Sequence, residues 1–400
     1  MMKTAILVMA DYHKTTKTMK AFTKMFLNFA VLVVLSVVRA SAEVSVEQLP
    51  EHGLQPQAIA TPDGTVHLIY LTGDPNSSDI IYRRRFGKGQ WSNPLRVNSQ
   101  PGGAVAVGTI RGPQFALGRN GRVHVAWNGS QSAEPKLANG ESPMLYSRLN
   151  DDTKGFSAQK NLMTTTHDLD GGGSVTADTE GRVFVVWHGT PAGSQGETNR
   201  AVFLALSTDD GGTFAPERRV SPPDTGACGC CGLTAFADTR GDAFVLFRTA
   251  RSIMQRDMML LVSTDHGGRF KESFTHPWSV GMCPMSSASL VGTDTGAWAA
   301  WETAGRVYFA RVSDTDWNPN ARAVGPLKGA KHPRLATNAH GEMLMVWTEG
   351  TGWQRGGAVA WQMFDAKGEP TAQQGKRDGI PAWSYATTCA RPNGDFIILY

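Results

Sequence analysis

The hydrophobic and polar positions of this chain alternate in a repeated unit, in which two short apolar segments flank a polar turn that contains glycine. Examples are "FALGRNGRVHVAW" at 115–127 and "SVTADTEGRVFVVW" at 174–187. Turns of this kind between apolar runs indicate β-hairpins. Seven such units occur, and their turn glycines lie 45 to 60 residues apart: Gly64, Gly121, Gly181, Gly241, Gly296, Gly341 and Gly394. A repeat of this period built from strands alone is typical of β-propeller blades.

Two further strands fit between successive hairpins, as in "AVFLALSTDDGGTF" at 201–214 and "ERRVS" at 217–221. The sequence therefore predicts an all-β propeller of four-stranded blades over residues 43–400, with a negligible helix content. The seventh hairpin ends at Tyr400 without outer strands, and "EVSVEQL" at 43–49 can supply a strand that closes the ring. We expect seven blades, with six as the alternative. Closure by both ends of the chain removes free sheet edges.

The first 42 residues have the layout of a secretory signal peptide. Scattered lysines precede an apolar run at 25–38, and the small residues "ASA" follow at 40–42. The run is too short for a comfortable membrane span. We therefore expect a cleaved signal at 1–42 and one propeller domain at 43–400. The exported chain would be periplasmic or extracellular, with no membrane insertion after cleavage.

Removing this segment changes the charge of the chain. The whole sequence carries 39 basic and 35 acidic residues and a net charge of +4, but residues 1–42 alone contribute +5. The remaining chain has a net charge close to −1 and lacks the excess of basic residues that nucleic-acid binding requires. We expect a monomer whose partner is a glycan or another small molecule.

Two short motifs mark the repeats more specifically. "STDDGGTF" at 207–214 matches the pattern Ser-x-Asp-x-Gly-x-Thr-aromatic, and "STDHGGRF" at 263–270 is a second copy. With these motifs the chain resembles secreted bacterial propellers of the sialidase-like, Asp-box (BNR-repeat) family. "TGACGCCG", "CPMSS", "WETAG" and "TGWQRGG" look like one branch of it. The resemblance implies a propeller fold, and it implies that the Asp boxes lie between outer strands, away from the usual active face.

Propeller topology places polar residues of several blades on one face. Loops that enter a first strand and loops that leave a second strand lie together, at the mouth of the central channel, where ligands usually bind. The predicted ligand-binding residues on this face are Asn128, His188, His332, Trp353 and Gln354. Trp353 lies in a glycine-rich loop that can present an aromatic platform.

The family resemblance also implies a catalytic hypothesis. Sialidases hold a substrate carboxylate with three arginines, since each guanidinium offers a planar pair of donors. Here the three would be Arg111, Arg248 and Arg334, with carboxylates from Glu302 and from Asp168 or Asp170, and a phenol from Tyr385. The Phe-Arg-Ile-Pro motif of sialidases is absent. Glycosidase activity and binding without catalysis therefore both stay open.

Four cysteines lie in two loops that enter neighbouring blades. Cys228, Cys230 and Cys231 fall in "DTGACGCCGL", and Cys283 falls in "GMCPMSS". Because exported proteins meet an oxidising environment, we expect two disulfides, one of them joining Cys283 to the triplet. The alternative is a soft transition-metal ion such as Cu(I), bound by these thiols with help from nearby methionines or His188. No other cofactor is expected, and Cys389 is predicted to be a free, buried strand residue.

Overall fold

The computed structural model describes residues 42–293, 296–312 and 321–400. The predicted signal segment lies outside these residues, apart from Ala42. Two single-turn 3-10 helices, Pro50–His52 and Arg119–Gly121, are the helical elements of the described part of the chain. No helix there is long and apolar enough to cross a membrane.

The remaining elements are strands. In chain order they are β1 Val44–Glu47, β2 Leu54–Ala60, β3 Thr65–Asp74, β4 Ser77–Phe86, β5 Leu95–Arg96, β6 Gln114–Leu117, β7 Val123–Asn128, β8 Met144–Arg148, β9 Lys160–Asn161, β10 Thr166–His167, β11 Ser174–Ala177, β12 Val183–Pro191, β13 Ala201–Ser207, β14 Arg218–Arg219, β15 Thr234–Ala237, β16 Ala243–Arg248, β17 Met258–Ser263, β18 Lys271–His276, β19 Ser289–Thr293, β20 Gly296–Thr303, β21 Arg306–Val312, β22 Arg322–Val324, β23 Ala330–Thr337, β24 Met343–Glu349, β25 Gly357–Phe364, β26 Pro370–Ile380, β27 Thr387–Ala390 and β28 Phe396–Leu399.

These strands form seven sheets, which are the blades of a propeller. Blade I contains β2–β5, blade II β6–β9, blade III β10–β14, blade IV β15–β18, blade V β19–β22 and blade VI β23–β26, while blade VII contains β27, β28 and β1. The first long strands of the blades contact one another in the cyclic order β2, β6, β11, β15, β19, β23 and β27, and β27 contacts β2 again. The predicted all-β propeller with seven blades is thus confirmed.

The hydrophobic core lies between the blades, because the second strands are apolar on both faces. Trp127 of blade II lies in a buried cluster with Ile69 and Leu71 of blade I. The equivalent residue Trp187 packs against blade II, and Trp301 packs against blade IV. In these three blades the aromatic residue that ends the predicted hairpin therefore fills the gap to the preceding blade.

Blade VII is completed by both ends of the described chain. β1 pairs in parallel with β28, from Val44 opposite Phe396 to Glu47 opposite Leu399. The main-chain N–H of Phe396 donates to the oxygen of Glu43 at 2.8 Å, and that of Tyr400 donates to the oxygen of Glu47 at 3.1 Å. The prediction that residues 43–49 supply the missing strand is confirmed.

The two Asp-box segments form the same hydrogen-bonded turn. Asp209 accepts from the main-chain N–H and the hydroxyl of Thr213, both at 2.8 Å. Asp265 accepts from the N–H of Arg269 at 2.8 Å in the second copy. Phe214 packs edge-on against Tyr146 of the neighbouring blade, with ring centroids 4.7 Å apart. Both turns join the outer strands of their blades, on the face away from the channel mouth.

Candidate functional site

The channel-mouth face consists of the loops that enter the first strand of each blade, together with the ends of the second strands. The loops are 48–53, 106–113, 168–173, 224–233, 281–288, 325–329 and 381–386. Second strands β7, β12, β16, β20 and β24 bring Asn128, His188, Arg248, Glu302 and Thr348 to the same face. The face divides into a buried cysteine cluster, an open cleft, an aromatic rim and the central channel.

The three cysteines of loop 224–233 form a tight cluster. The Sγ of Cys228 lies 3.4 Å from that of Cys230 and 3.7 Å from that of Cys231. All three sulfurs lie within 4.8 Å of one another. Cys228 and Cys231 are buried, and Cys230 is partly exposed.

All five cysteines lie within the described residues, and none of them forms a disulfide there. A disulfide requires two sulfurs at about 2.05 Å, much closer than any pair in the cluster. The two expected bridges are therefore not found. Cys283 is exposed on loop 281–288 and stands apart from the inward-facing triplet. Cys389 is buried in β27, where burial raises the pKa of its thiol to about 12.

Main-chain contacts hold the cysteine loop in place. The N–H of Cys228 donates to the oxygen of Arg248 at 2.9 Å, and that of Gly232 donates to Ser286 at 3.0 Å. The N–H of Gly229 donates to Oε1 of Glu197 at 2.8 Å. A Cβ on Gly229 would lie 2.2 Å from Nη1 of Arg200, so a side chain here would displace the Arg200 guanidinium. The loop is thus fixed by blades III, IV and V.

Two arginines flank the cluster. Arg248 is 1% exposed and donates from Nη1 to the main-chain oxygen of Arg256 at 2.8 Å and from Nη2 to that of Glu302. Its guanidinium lies 4.6 Å from the centre of the Trp278 ring. Arg256 forms an ion pair with Glu197 at 2.7 Å. Both guanidinium groups are thereby held beside the cysteine loop.

The thiols differ in how readily they ionise. Burial opposes ionisation of Cys231, but hydrogen bonds from Cys228 and Cys230 and the charge of Arg248 outweigh it and lower its pKa. The pKa of Cys230 is raised by its hydrogen bond with Cys228. Cys231 is therefore the thiol of the cluster that loses its proton most readily.

Two buried histidines border the cysteine loop, and both are neutral. Burial and Arg200 lower the pKa of His188 to about 3. Neither ring nitrogen of His188 has a hydrogen-bond partner among the described residues. Burial with Lys331 likewise lowers the pKa of His332 to about 3, and its Nδ1 lies 3.2 Å from the Ser287 hydroxyl. Cys231 is close enough to act on the pKa of each ring.

Glu302 is a buried carboxyl beside the same loop. Its Oε1 accepts from the N–H of Gly305 at 2.5 Å, whereas Oε2 has no partner among the described residues. Burial raises the pKa of Glu302, although the charge of Arg248 opposes the shift. The predicted neighbours His188, Arg248 and Glu302 thus lie on one face, around the cysteines rather than around an open pocket.

An open cleft of about 430 Å³ lies at blades I to III. Its lining includes Asn128, Arg111, Asp168 and Asp170. Arg111 donates from Nε to the main-chain oxygen of Asp170 at 2.7 Å and pairs with its carboxylate. Asp168 accepts from Nη2 of Arg200 at 2.6 Å. The cleft therefore combines a partly exposed cation with two carboxylates and an amide.

An aromatic rim lies next to this cleft. Trp353 is 58% exposed, and its ring meets that of Trp383 edge to face with centroids 6.4 Å apart. A Cβ on Gly108 would lie 3.3 Å from Nη1 of Arg111 and 4.0 Å from the Trp353 ring, so both side chains approach one point. Gln354 is exposed beside Trp353, with a left-handed φ of 53°.

The three arginines of the sialidase hypothesis occupy different places. Arg111 lines the cleft, and Arg334 lines the central channel of about 270 Å³, with its guanidinium 4.7 Å from the Tyr385 ring centre. Arg248 is buried beneath Trp278. The structure does not bring the three guanidinium groups into one open cavity.

Sequence reasoning missed several residues of this face. Glu197 and Arg200 lie in the loop between the second and third strands of blade III, and Trp383 lies in the loop that enters blade VII. Loops from a second to a third strand also lie on the channel-mouth face. Extending the topological argument to them would have found Glu197 and Arg200.

Comparisons with known proteins show likeness in structure alone. No protein-family model matches the chain, and no curated protein matches its sequence. The Hadza microbial sialidase Hz136 aligns with a TM-score of 0.52 at 14% identity, over 79% of this chain and 66% of the sialidase.

Two other solved structures align similarly. An α-L-arabinanase of Penicillium chrysogenum complexed with arabinobiose gives a TM-score of 0.52 at 13% identity, over 82% of this chain and 98% of that one. A fungal alcohol oxidase of the AA5 family, in complex with copper, gives a TM-score of 0.51 at 12% identity, over 86% of this chain and 69% of the oxidase. At such identities the likeness concerns architecture, and this chain has the fold of the sialidase- and arabinanase-like β-propellers.

Proposed function

We propose that this protein is an exported β-propeller that binds a glycan, or another small anionic ligand, at the channel-mouth face. The observation that carries the proposal is the exposed Trp353 ring, braced by Trp383 and placed next to Arg111. Large apolar side chains exposed on a soluble protein mark interaction sites when polar groups surround them. An aromatic face beside a guanidinium suits a sugar ring that carries a carboxylate.

The neighbouring cleft supports the same function. Its volume of about 430 Å³ falls within the range of small-molecule sites. Arg111 offers a planar pair of donors to a carboxylate, in competition with its present partner Asp170. Asn128 lines the cleft but is 2% exposed, and its Nδ2 donates to the main-chain oxygen of Gly171 at 2.8 Å, so it shapes the wall of the cleft. The Arg111 guanidinium is the group that can orient a sugar carboxylate.

Binding is favoured over glycoside hydrolysis by the positions of the charged groups. Arg248 and Glu302 are buried around the cysteine loop, where no ligand in the cleft reaches them. The net charge near −1 after residue 42 speaks against nucleic acid as a partner. The signal-like segment at 1–42 supports export. The closed ring of blades supports a monomer, because it leaves no incomplete blade in the described part of the protein to pair with a second chain.

The test is calorimetric titration of the purified protein with sialylated, uronic-acid and neutral arabinose oligosaccharides. We expect binding of an acidic oligosaccharide, weakened at least tenfold by Trp353→Ala. Phe86→Ala is the matched control, because Phe86 is also an exposed aromatic (71%) but lies on the opposite face. Absence of binding across the panel, or equal affinity in Trp353→Ala, would overturn the proposal.

The role of the guanidinium is tested with Arg111→Gln. We expect this change to weaken the binding of an acidic oligosaccharide more than that of a neutral one of the same length, because only the acidic one offers a carboxylate. Incubation with an aryl sialoside separates binding from catalysis. Turnover of that compound would contradict a purely binding role.

A further inference from the structure

We propose that Cys228, Cys230 and Cys231 form a three-thiolate site for one Cu(I) ion, separate from the ligand site at the aromatic rim. The observation behind this inference is the sulfur geometry. A thiolate–metal bond of about 2.3 Å places the sulfurs of a trigonal or tetrahedral site roughly 3.8–4.0 Å apart. The Sγ of Cys228 lies 3.4 Å from Cys230 and 3.7 Å from Cys231.

The donor set favours Cu(I) over zinc. The group of ligand atoms within 4.8 Å in the described residues contains three sulfurs and no histidine or carboxylate. Thiolates suit both Cu(I) and zinc, but structural zinc sites almost always have four ligands, so a set of three sulfurs favours Cu(I). Cys283, the one other cysteine on this face, is exposed on another loop and does not complete a fourth position.

The surroundings stabilise the negative charge of such a complex. Three thiolates with one Cu(I) carry a net charge of −2, and Arg248 and Arg256 flank them. Nε of Arg248 and Nη1 of Arg256 are buried donors without partners among the described residues. Unpaired buried donors are costly unless an acceptor faces them, and thiolate sulfurs supply such acceptors.

His188 provides an independent observation at the same place. It is 0% exposed, and neither of its ring nitrogens has a partner among the described residues. A Cβ on Gly171 would lie 2.5 Å from Nδ1 of His188 and 2.9 Å from the main-chain oxygen of Cys231. A neutral imidazole N–H beside a metal-bound thiolate can donate to the sulfur and hold its orientation.

The loop is also preorganised and accessible. Its main chain is bonded to Arg248, Glu197 and Ser286, so the sulfurs do not need to be gathered by the ion. Cys230 is the partly exposed member and offers a path for the ion. Preorganisation of this kind lowers the cost of binding.

The experiment is anaerobic titration of the reduced full-length protein with Cu(I) against a coloured Cu(I) chelator, bicinchoninate. We expect one equivalent of Cu(I) to leave the chelator, with thiolate-to-copper absorption in the near ultraviolet. Cys230→Ser should weaken binding at least tenfold, and Cys283→Ser should leave stoichiometry and affinity unchanged. Trp353→Ala should bind Cu(I) as the wild type does, so the proposed copper site and the proposed ligand site are tested independently of each other.

A second measurement guards against loss of folding in the variants. Cu(I) should raise the melting temperature of the wild type and Cys283→Ser, as expected for a ligand of the native state, but not that of Cys230→Ser. The proposal is overturned if the reduced wild type takes up no Cu(I), if Cys283→Ser loses as much Cu(I) affinity as Cys230→Ser, or if the freshly isolated protein has a disulfide within the triplet. Preferential uptake of Zn(II) over Cu(I) would also overturn it.

Discussion

Arg248 donates a hydrogen bond from Nη2 to the main-chain oxygen of Glu302, which lies 54 positions later in the chain. This contact ties the second strand of blade IV to that of blade V, directly beside the cysteine loop. The same guanidinium stacks on Trp278 and bonds to the oxygen of Arg256. Arg248 is thus a structural cation at the centre of the buried part of the channel-mouth face.

Replacing Arg248 with methionine should destabilise the protein by about 2–4 kcal/mol, because the buried carbonyl oxygen of Glu302 and the partly buried one of Arg256 lose the hydrogen bonds from its guanidinium. Urea unfolding measures the loss. Arg269→Met is the control, since this exposed arginine lies in the Asp-box turn on the opposite face and should change stability by no more than about 0.5 kcal/mol. A loss below about 1 kcal/mol in Arg248→Met, within the range of an ordinary substitution, would contradict the structural role.

The buried histidines should make the protein sensitive to acid. The pKa of His332 falls from 6.5 to about 3 on folding because burial disfavours its charged form. Between pH 6.5 and 3, His332 therefore binds a proton in the unfolded chain but not in the folded one. The free energy of unfolding decreases as the pH falls through this window.

We expect His332→Gln to reduce the slope of unfolding free energy against pH in this window, by up to about 1.4 kcal/mol per pH unit. Chemical denaturation at several pH values measures it. His52→Gln, at an exposed position, is the control for the loss of an imidazole that is not buried. Parallel pH profiles for the wild type and His332→Gln would count against a neutral buried His332.

The two Asp boxes should differ in their contribution to stability. Asp209 accepts bonds from Ser207 and from two donors of Thr213, whereas Asp265 accepts from Ser263 and from one donor of Arg269. Asp209→Ala should therefore cost about 1 kcal/mol more than Asp265→Ala, the net value of one hydrogen bond. Urea unfolding of both variants measures the difference, and equal costs would refute it.

Both Asp-box variants should bind the oligosaccharide as tightly as the wild type does. The reason is that the turns lie away from the channel mouth. Weaker oligosaccharide binding in either variant would indicate that the two faces of the propeller are energetically coupled.

Closure of the ring by β1 should be required for a monomeric, stable protein. Removing residues 43–47 exposes the edge of β28 and deletes the bonds from Phe396 and Tyr400. Free strand edges invite pairing with other chains. We expect a lower melting temperature and oligomers in size-exclusion chromatography.

Ser45→Ala is the matched control for that truncation. It removes one side-chain bond to the oxygen of Phe396 and keeps the β1–β28 ladder. It should remain monomeric, with a melting temperature close to that of the wild type. A monomeric truncated protein with an unchanged melting temperature would disprove the role of β1.

The candidate site could be predicted from the sequence only in part. Topology correctly assigned His188, Arg248 and Glu302 to one face, because the end of a second strand in any blade points there. It did not reveal that these side chains are buried around the cysteines. Glu197 and Trp278, which complete their surroundings, lie in loops whose paths depend on neighbouring blades.

The sequence by itself determined the all-β architecture and the closing role of residues 43–49, and it favoured seven blades over six. These features follow from local patterns: alternating apolar strands, glycine turns and a regular period. Only the tertiary structure decided that Arg111, Arg248 and Arg334 stand apart and that Cys283 stays away from the triplet. Those outcomes depend on side-chain directions and on contacts between blades some fifty residues apart, such as that of Arg248 with Glu302, which no local pattern encodes.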